Sequence, residues 1–223
     1  MLLAIDTATS KIGIALYNGV EVLHESVWLS PYRHTVELAP AIENALQQTS
    51  HSMDDVEAIG LAIGPGSYTG LRIGAAVAKG LALARSLALV AVPTFEILAV
   101  AFQVDAEFQL AAVLKAGRGR LAVGWYQAEE DQWVPADDPS LYTPDEFSKA
   151  IRVPTIVCGE LDDDLRKILG RKYKNVFLAS PAASLRRPAL LAELAWARWQ
   201  AGEISDPETT APVYLQTNEN IPG

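Results

Sequence analysis

The feature of the sequence that most suggests chemistry is a glycine-rich segment, residues 64–74, which reads GPGSYTGLRIG and follows an apolar stretch. Such a loop between a strand and a helix can bind an anion, because free backbone N–H groups and the helix dipole both attract negative charge. A phosphate-binding loop is therefore the first hypothesis for this segment.

The spacing of the glycines does not match either of the common phosphate loops. A Walker loop needs four residues between its glycines and then Lys, whereas Gly66 and Gly70 enclose three residues and no Lys follows. A dinucleotide fingerprint needs an acid about 20 residues further on, and residues 84–95 contain none. The segment is therefore better interpreted as a turn that starts a helix.

The helix that begins after this turn is rich in small residues, which allow another helix to approach closely. Two interpretations stay open: the small residues pack inside this chain's own core, or they pack against a partner subunit. In the second case the partner would also meet the preceding helix. The residues predicted for this interface are Leu38, Ile42, Arg72, Ala75, Ala78 and Leu81.

Composition limits the kinds of partner. The net charge is -9 and the pI is about 4.8, which would repel a phosphate backbone unless basic residues were gathered into one patch. We therefore expect no direct nucleic-acid binding by the chain alone. Local basic clusters occur at Lys115, Arg118 and Arg120 and at Lys167, Arg171, Lys172 and Lys174.

Cysteine and histidine usage argues against a metal site or a catalytic triad. Cys158 is alone, which excludes an intrachain disulfide and is typical of a reducing cytosol. The histidines, His24, His34 and His51, are widely spaced, so we expect no metal site. The apolar runs are too short to span a membrane, and a signal peptide is not evident. These features predict a cytoplasmic protein.

Hydrophobic periodicity predicts an α/β chain whose second half loosely repeats the first. The predicted strands are 2–6, 12–17, 20–28, 58–64, 87–92, 110–115, 121–127, 155–158 and 176–178. The predicted helices are 35–48, 69–85, 94–102, 144–151, 162–169 and 188–201. Asn18-Gly19 predicts a tight hairpin turn, because both residues tolerate positive φ. We predict two lobes, 1–104 and 105–223, with the last helix able to pack back on the first lobe.

Three stretches carry a resemblance to a known family: AIDT at 4–7, the glycine segment continuing through AKGLA at 78–82, and PVYL at 212–215. The chain resembles the TsaB family, also called YeaZ, of bacterial tRNA threonylcarbamoyladenosine biosynthesis proteins. The resemblance implies a two-lobed actin-like (ASKHA) fold, a duplicated ribonuclease H-like unit with mixed sheets flanked by helices. It also implies a non-catalytic subunit that acts in forming threonylcarbamoyladenosine at position 37 of tRNA.

The same resemblance implies the partners. They are the catalytic relative TsaD, the ATPase TsaE, a second copy of the chain when TsaD is absent, and tRNA only through the complex. TsaD carries a metal-binding His-x-x-x-His pair at positions that correspond here to Thr94 and Leu98, neither of which replaces an imidazole. We therefore expect no catalytic activity from the chain on its own.

The resemblance also raises residual nucleotide binding at Asp6, Thr7, Gly66 and Ser67, since this fold class places an acid and a hydroxyl there to face phosphates and Mg²⁺. The competing interpretation is that Asp6 orders the adjoining turn. The sequence GRGR at 117–120 stands where many members have Asp-Ala-Arg, so a second acid is not found. We expect no cofactor on the chain alone, with ATP and Mg²⁺ only in the complex.

The alternative function is an ATP-dependent phosphotransferase or a protease of the actin-like class.

Overall fold

The computed structural model describes residues 1–31, 33–172 and 174–215. The chain divides into two compact units. The first unit comprises Met1–Ile97 and Arg186–Val213, and the second comprises Leu98–Leu185 with Tyr214 and Leu215 among the described residues. The prediction placed a single boundary at residue 104, whereas the chain passes between the units after Ile97, after Leu185 and after Val213.

The first unit is built on a five-stranded mixed sheet. Its strands are β1 (Leu2–Asp6), β2 (Lys11–Tyr17), β3 (Val22–Leu29), β4 (Ala58–Gly64) and β5 (Ala88–Pro93), in the order β3-β2-β1-β4-β5. Strands β1, β4 and β5 are parallel, and β2 and β3 are antiparallel to their neighbours. Strand β1 is buried along its whole length, which explains its apolar residues 2–5.

Six α-helices accompany the sheets within the described residues. They are α1 (His34–Gln48), α2 (Tyr68–Arg85), α3 (Thr94–Ala99), α4 (Pro144–Ala150), α5 (Asp163–Gly170) and α6 (Pro188–Gln200). A short 3₁₀ helix, Met53–Asp55, lies between α1 and β4. None of the described helices is long and apolar enough to cross a membrane.

Two apolar cores flank the first sheet. On one face, Leu3, Ile5 and Ile14 pack with residues of α1 and α2. On the other face, Leu2 and Ala4 pack with α6 through Leu191 and Ala195. Alternate residues of β1 therefore serve opposite cores, as the period of a strand requires. The last helix packs on the N-terminal sheet although it is far away in sequence.

The second unit contains a six-stranded mixed sheet. Its strands are β6 (Gln109–Lys115), β7 (Leu121–Glu129), β8 (Gln132–Pro135), β9 (Ser140–Tyr142), β10 (Thr155–Gly159) and β11 (Val176–Leu178). The order is β11-β10-β6-β7-β8, with β9 also paired to β7. The short strands β8 and β9 were not predicted, because neither is long enough to show a period.

The first hairpin differs from the predicted two-residue turn. Strand β3 begins at Val22 rather than at Val20. The Asn18 side chain accepts hydrogen bonds from the backbone N–H groups of Val20 and Glu21, and Gly19 has a φ of 94°. The loop is therefore longer than a type I′ turn because the asparagine side chain replaces a ladder bond.

Candidate functional site

The end of β1 carries a buried ion pair that the sequence did not suggest. Arg186 Nε donates to Asp6 Oδ2 at 2.7 Å, and the two side chains are 5% and 3% exposed. The second carboxylate oxygen, Oδ1, accepts from the backbone N–H of Ala8 at 2.9 Å. Arg186 Nη2 also donates to Thr9 Oγ1 at 3.0 Å and to the carbonyl of Lys11 at 3.1 Å. Both oxygens of Asp6 are thus engaged within the chain.

This arrangement bears on the predicted nucleotide role of Asp6. A carboxylate binds the Mg²⁺ of a nucleotide complex through a free oxygen. Here the Arg186 guanidinium already balances the charge of the Asp6 carboxylate at a buried position. Asp6 orders the turn after β1 through Ala8, and through Arg186 it also anchors the chain where it enters α6. Arg186 was missed because its partner lies 180 residues away and no local pattern marks it.

The glycine segment packs against the same turn rather than surrounding an open cradle. Thr7 Oγ1 donates to the carbonyl of Gly70 at 2.8 Å, and the backbone N–H of Ser67 donates to the carbonyl of Ala8 at 2.6 Å. A Cβ on Gly66 would overlap the carbonyl oxygen of Ala8, and one on Gly70 would overlap that of Thr7. These glycines are needed because two backbones meet here.

The remaining polar groups of this cluster also have partners inside the chain. Ser67 is the N-cap of α2, and its hydroxyl accepts from the backbone N–H of Gly70 at 3.4 Å. His34 Nε2 lies 3.1 Å from the carbonyl oxygen of Thr9, a hydrogen bond when that nitrogen is protonated. We call Asp6, Thr7, Thr9, Arg186 and the glycine segment the Asp6 cluster.

Four of the six residues predicted for the partner interface are buried within the chain. Leu38, Ile42, Ala75 and Ala78 are at most 7% exposed and belong to the core between the sheet, α1 and α2. Ala75 and Ala78 therefore serve the chain's own packing, because the helix must approach the sheet closely on this face, whereas the small residues Ala76, Gly80 and Ala84 are exposed. Leu81 is half-buried, and Arg72 is exposed with its guanidinium 4.2 Å from the ring centre of Tyr68.

An apolar groove of about 420 Å³ lies between α1 and α2, beside the 3₁₀ helix. Its apolar lining comes from Ala39, Ile42, Leu46, Met53, Val77 and Leu81. Glu43 and Gln47 stand at its exposed rim. His51 also lines the groove, and its buried Nδ1 has no hydrogen-bond partner in the part of the chain that the structure describes. We call this feature the α1–α2 groove.

Three other residues considered in the sequence analysis, Cys158, Thr94 and Leu98, are buried. Cys158 is buried, as predicted, and burial raises the pKa of its thiol to about 12, so the thiolate is not available at neutral pH. Thr94 and Leu98 are at most 1% exposed on α3. Among the described residues, no group of three or more His, Cys, Asp or Glu side chains could hold a metal ion.

Comparison with known proteins adds to this geometry. A family model described as TsaD, tRNA N6-adenosine threonylcarbamoyltransferase, matches residues 29–160. The tRNA threonylcarbamoyladenosine biosynthesis protein TsaB of Bacillus subtilis is 31% identical over 98% of this chain and 95% of its own length. The Escherichia coli protein of the same name is 29% identical over 100% of this chain and 98% of its own length.

Solved structures give the same result. YeaZ from Pseudomonas aeruginosa has a TM-score of 0.76 at 26% identity and covers 96% of this chain and 99% of its own. The ethanolamine utilization protein EutJ from Carboxydothermus hydrogenoformans shares the fold alone, with a TM-score of 0.53 at 12% identity over 86% of this chain and 88% of its own. The predicted fold class is confirmed, and the chain belongs to the TsaB (YeaZ) family of tRNA threonylcarbamoyladenosine biosynthesis proteins.

Proposed function

We propose that the chain is a non-catalytic subunit that binds the catalytic relative TsaD and supports threonylcarbamoyladenosine formation at position 37 of tRNA, together with TsaE. The α1–α2 groove is the surface that meets TsaD. In the absence of TsaD, a second copy of the chain uses the same surface to form a homodimer.

The single observation that carries the proposal is the apolar groove itself. The apolar lining of this open concavity includes the exposed Ala39 and the half-buried Met53, Val77 and Leu81, which stay in contact with water unless a partner covers them. Burying such a lining against a partner helix is favourable, at roughly 25 cal/mol per Å² of apolar surface.

The apolar stripe extends beyond the groove along α1. Val36, Ala39 and Glu43 follow the three- and four-residue spacing that places side chains on one helix face. Val36 is 62% exposed and adds to the apolar surface beside the groove. An apolar centre with a polar rim at Glu43 and Gln47 has the composition of a protein–protein interface.

The alternative function, a phosphotransferase or a protease, has less support. A phosphotransferase would need a free acid near the phosphates, and Asp6 is paired with Arg186. A cysteine protease would need a reactive thiolate, and Cys158 is buried. Calorimetric titration of the isolated chain with Mg-ATP separates the functions, since micromolar binding with turnover would favour the enzyme.

The proposal is tested by placing a charge in the groove without disturbing the core. Ala39 is exposed on α1 and lines the groove, so Ala39→Glu should leave the chain folded and weaken co-elution with TsaD at least about tenfold. Ala182→Glu makes the same change at an exposed position in the second unit and serves as the control. Unchanged co-elution of Ala39→Glu, with both variants folded by circular dichroism, would refute the surface.

The homodimer is tested on the same variants without TsaD. Light scattering after size exclusion should give a dimer for the wild-type chain and for Ala182→Glu, and a monomer for Ala39→Glu. A dimer that survives in Ala39→Glu would mean that the chain associates through another face.

A further inference from the structure

The starting ends of three parallel strands in the second unit form one continuous surface. Gln109 of β6 donates its N–H to the carbonyl of Pro154 at 2.9 Å, and Thr155 of β10 donates to the carbonyl of Asn175 at 2.8 Å. Asn175 Nδ2 donates to the carbonyl of Arg152 at 2.8 Å. The segments that precede β6, β10 and β11 are thus held together by hydrogen bonds. These hydrogen bonds connect the three segments into one surface.

An aromatic pair lies on this surface. The rings of Phe108 and Phe177 meet edge to face, with centroids 4.8 Å apart. Phe177 is 45% exposed, and Val153 is 44% exposed in the segment before β10. A phenyl ring held by a neighbouring ring and open to solvent offers a fixed face on which a planar group can stack.

Four cations lie in the segments that precede β10 and β11, although the whole chain has a net charge of -9. The cations are Arg152, Arg171, Lys172 and Lys174, and the acids closest in sequence to the rings are Asp105 and Glu107. Within residues 33–172 and 174–215, no carboxylate forms an ion pair with any of these four cations. Stabilisation of a helix C-terminus accounts for Arg171 at the end of α5, but not for Arg152 or Lys174, which lie outside helices.

We infer that this surface contacts RNA directly, with the cations on the phosphate backbone and an unstacked base against Phe177. Aromatic faces beside a basic track are the means by which proteins hold single-stranded RNA without reading its sequence. The inference replaces the expectation that the chain meets tRNA only through its complex. It rests on the proposed function for the presence of an RNA substrate, but its test needs no partner protein.

The test measures RNA binding by the full chain at about 50 mM salt, where phosphate contacts are strongest. The probes are a transcribed tRNA and a labelled single-stranded RNA of ~20 nucleotides, which is longer than one single-strand site. Replacing Lys172 and Lys174 together by Ala should weaken binding about tenfold and lower the slope of log K against log salt by about two. Phe177→Leu should weaken single-strand binding about fivefold while leaving the salt slope unchanged.

The matched control replaces Lys115 and Arg118 together by Ala, which removes the same charge from the same unit at the opposite end of β6. Both residues are exposed. A control that loses as much affinity as the Lys172 and Lys174 variant overturns the assigned surface, as does a wild-type chain that retains neither RNA. If Phe177→Leu and the lysine variant keep RNA but lose a protein partner, the patch is a protein-docking surface and the inference is wrong. Co-elution with TsaD through the α1–α2 groove is measured separately, so either proposal can fail alone.

Discussion

The Asp6 cluster and the α1–α2 groove lie in the same unit and share helix α2. They differ in how many of their polar groups have hydrogen-bond partners and in how much of their apolar surface the chain buries. In the cluster, Asp6 and Thr7 have partners inside the chain, and the two meeting backbones leave no room for a Cβ at Gly66 or Gly70. In the groove, apolar side chains stay open to solvent and His51 Nδ1 lacks a partner among the described residues. A satisfied site stabilises a fold, whereas an unsatisfied one is available for recognition.

The glycine segment illustrates the same difference. A glycine-rich loop before a helix is the hallmark of a phosphate site only when its N–H groups are free. Here the Ser67 N–H donates to the carbonyl of Ala8, and the Gly70 N–H donates to the Ser67 hydroxyl. These two N–H groups therefore bind the chain itself, and Val77 and Leu81 of the helix that begins here line the groove.

The largest expected effect comes from breaking the buried ion pair. Arg186→Ala leaves Asp6 charged and buried without its partner, which should cost about 3–5 kcal/mol of unfolding free energy. The neighbouring Arg187 is 54% exposed and pairs with the half-buried Glu25, so Arg187→Ala should cost less, about 1 kcal/mol. Urea denaturation of both variants checks the contrast. Equal losses would show that the Asp6 cluster has no special role.

A second prediction separates core residues from groove residues among those predicted for the interface. Leu38 is 1% exposed, so Leu38→Ala should cost about 2–5 kcal/mol of stability. Leu81 is half-buried in the groove, so Leu81→Ala should cost less stability and instead weaken association with TsaD. Unfolding curves and co-elution are measured on each variant. A Leu81→Ala chain that is strongly destabilised but binds normally would contradict the assignment.

A third prediction uses two glycines of α2. A Cβ on Gly74 would overlap the Thr7 hydroxyl, so Gly74→Ala should destabilise the chain by about 1–3 kcal/mol despite better helix propensity. Nothing lies within 4 Å of a Cβ on Gly80, so Gly80→Ala should stabilise the isolated chain by up to about 1 kcal/mol. Thermal unfolding of each variant shows whether its stability falls or rises. Stabilisation by both substitutions would mean that the turn after β1 does not pack on α2 as described.

The smallest effect concerns an exposed carboxylate of the same unit. The backbone N–H of Glu208 and the hydroxyl of Thr209 donate to Asp206 and lower the pKa of its carboxyl. Because the folded pKa is the lower one, this stabilisation is present above the unfolded pKa near 3.9 and is lost as the pH falls through the folded pKa. The melting temperature of the wild-type chain should therefore fall more between pH 5 and pH 3 than that of Asp206→Asn. Parallel curves would contradict the assignment.

Much of the fold could be predicted from local patterns. The buried strand β1, the helices α1 and α2 and the turn at Asn18 follow from apolar periodicity and from residue preferences over a few positions. Two short strands and the true hairpin length could not be predicted, since they depend on pairing with β7 and on one asparagine side chain. The candidate site was predicted only in part, because the sequence identified α2 but not which of its faces is buried.

The sequence by itself determined the family, the order of most elements and the need for glycine where α2 begins, because these depend on neighbouring residues and on a specific motif. Only the tertiary structure decided the rest. It paired Asp6 with Arg186 across 180 residues, turned Ala75 and Ala78 inward, and left the α1–α2 groove open. The physical reason is that a charge or an apolar side chain acquires its role from the partner that the fold brings to it.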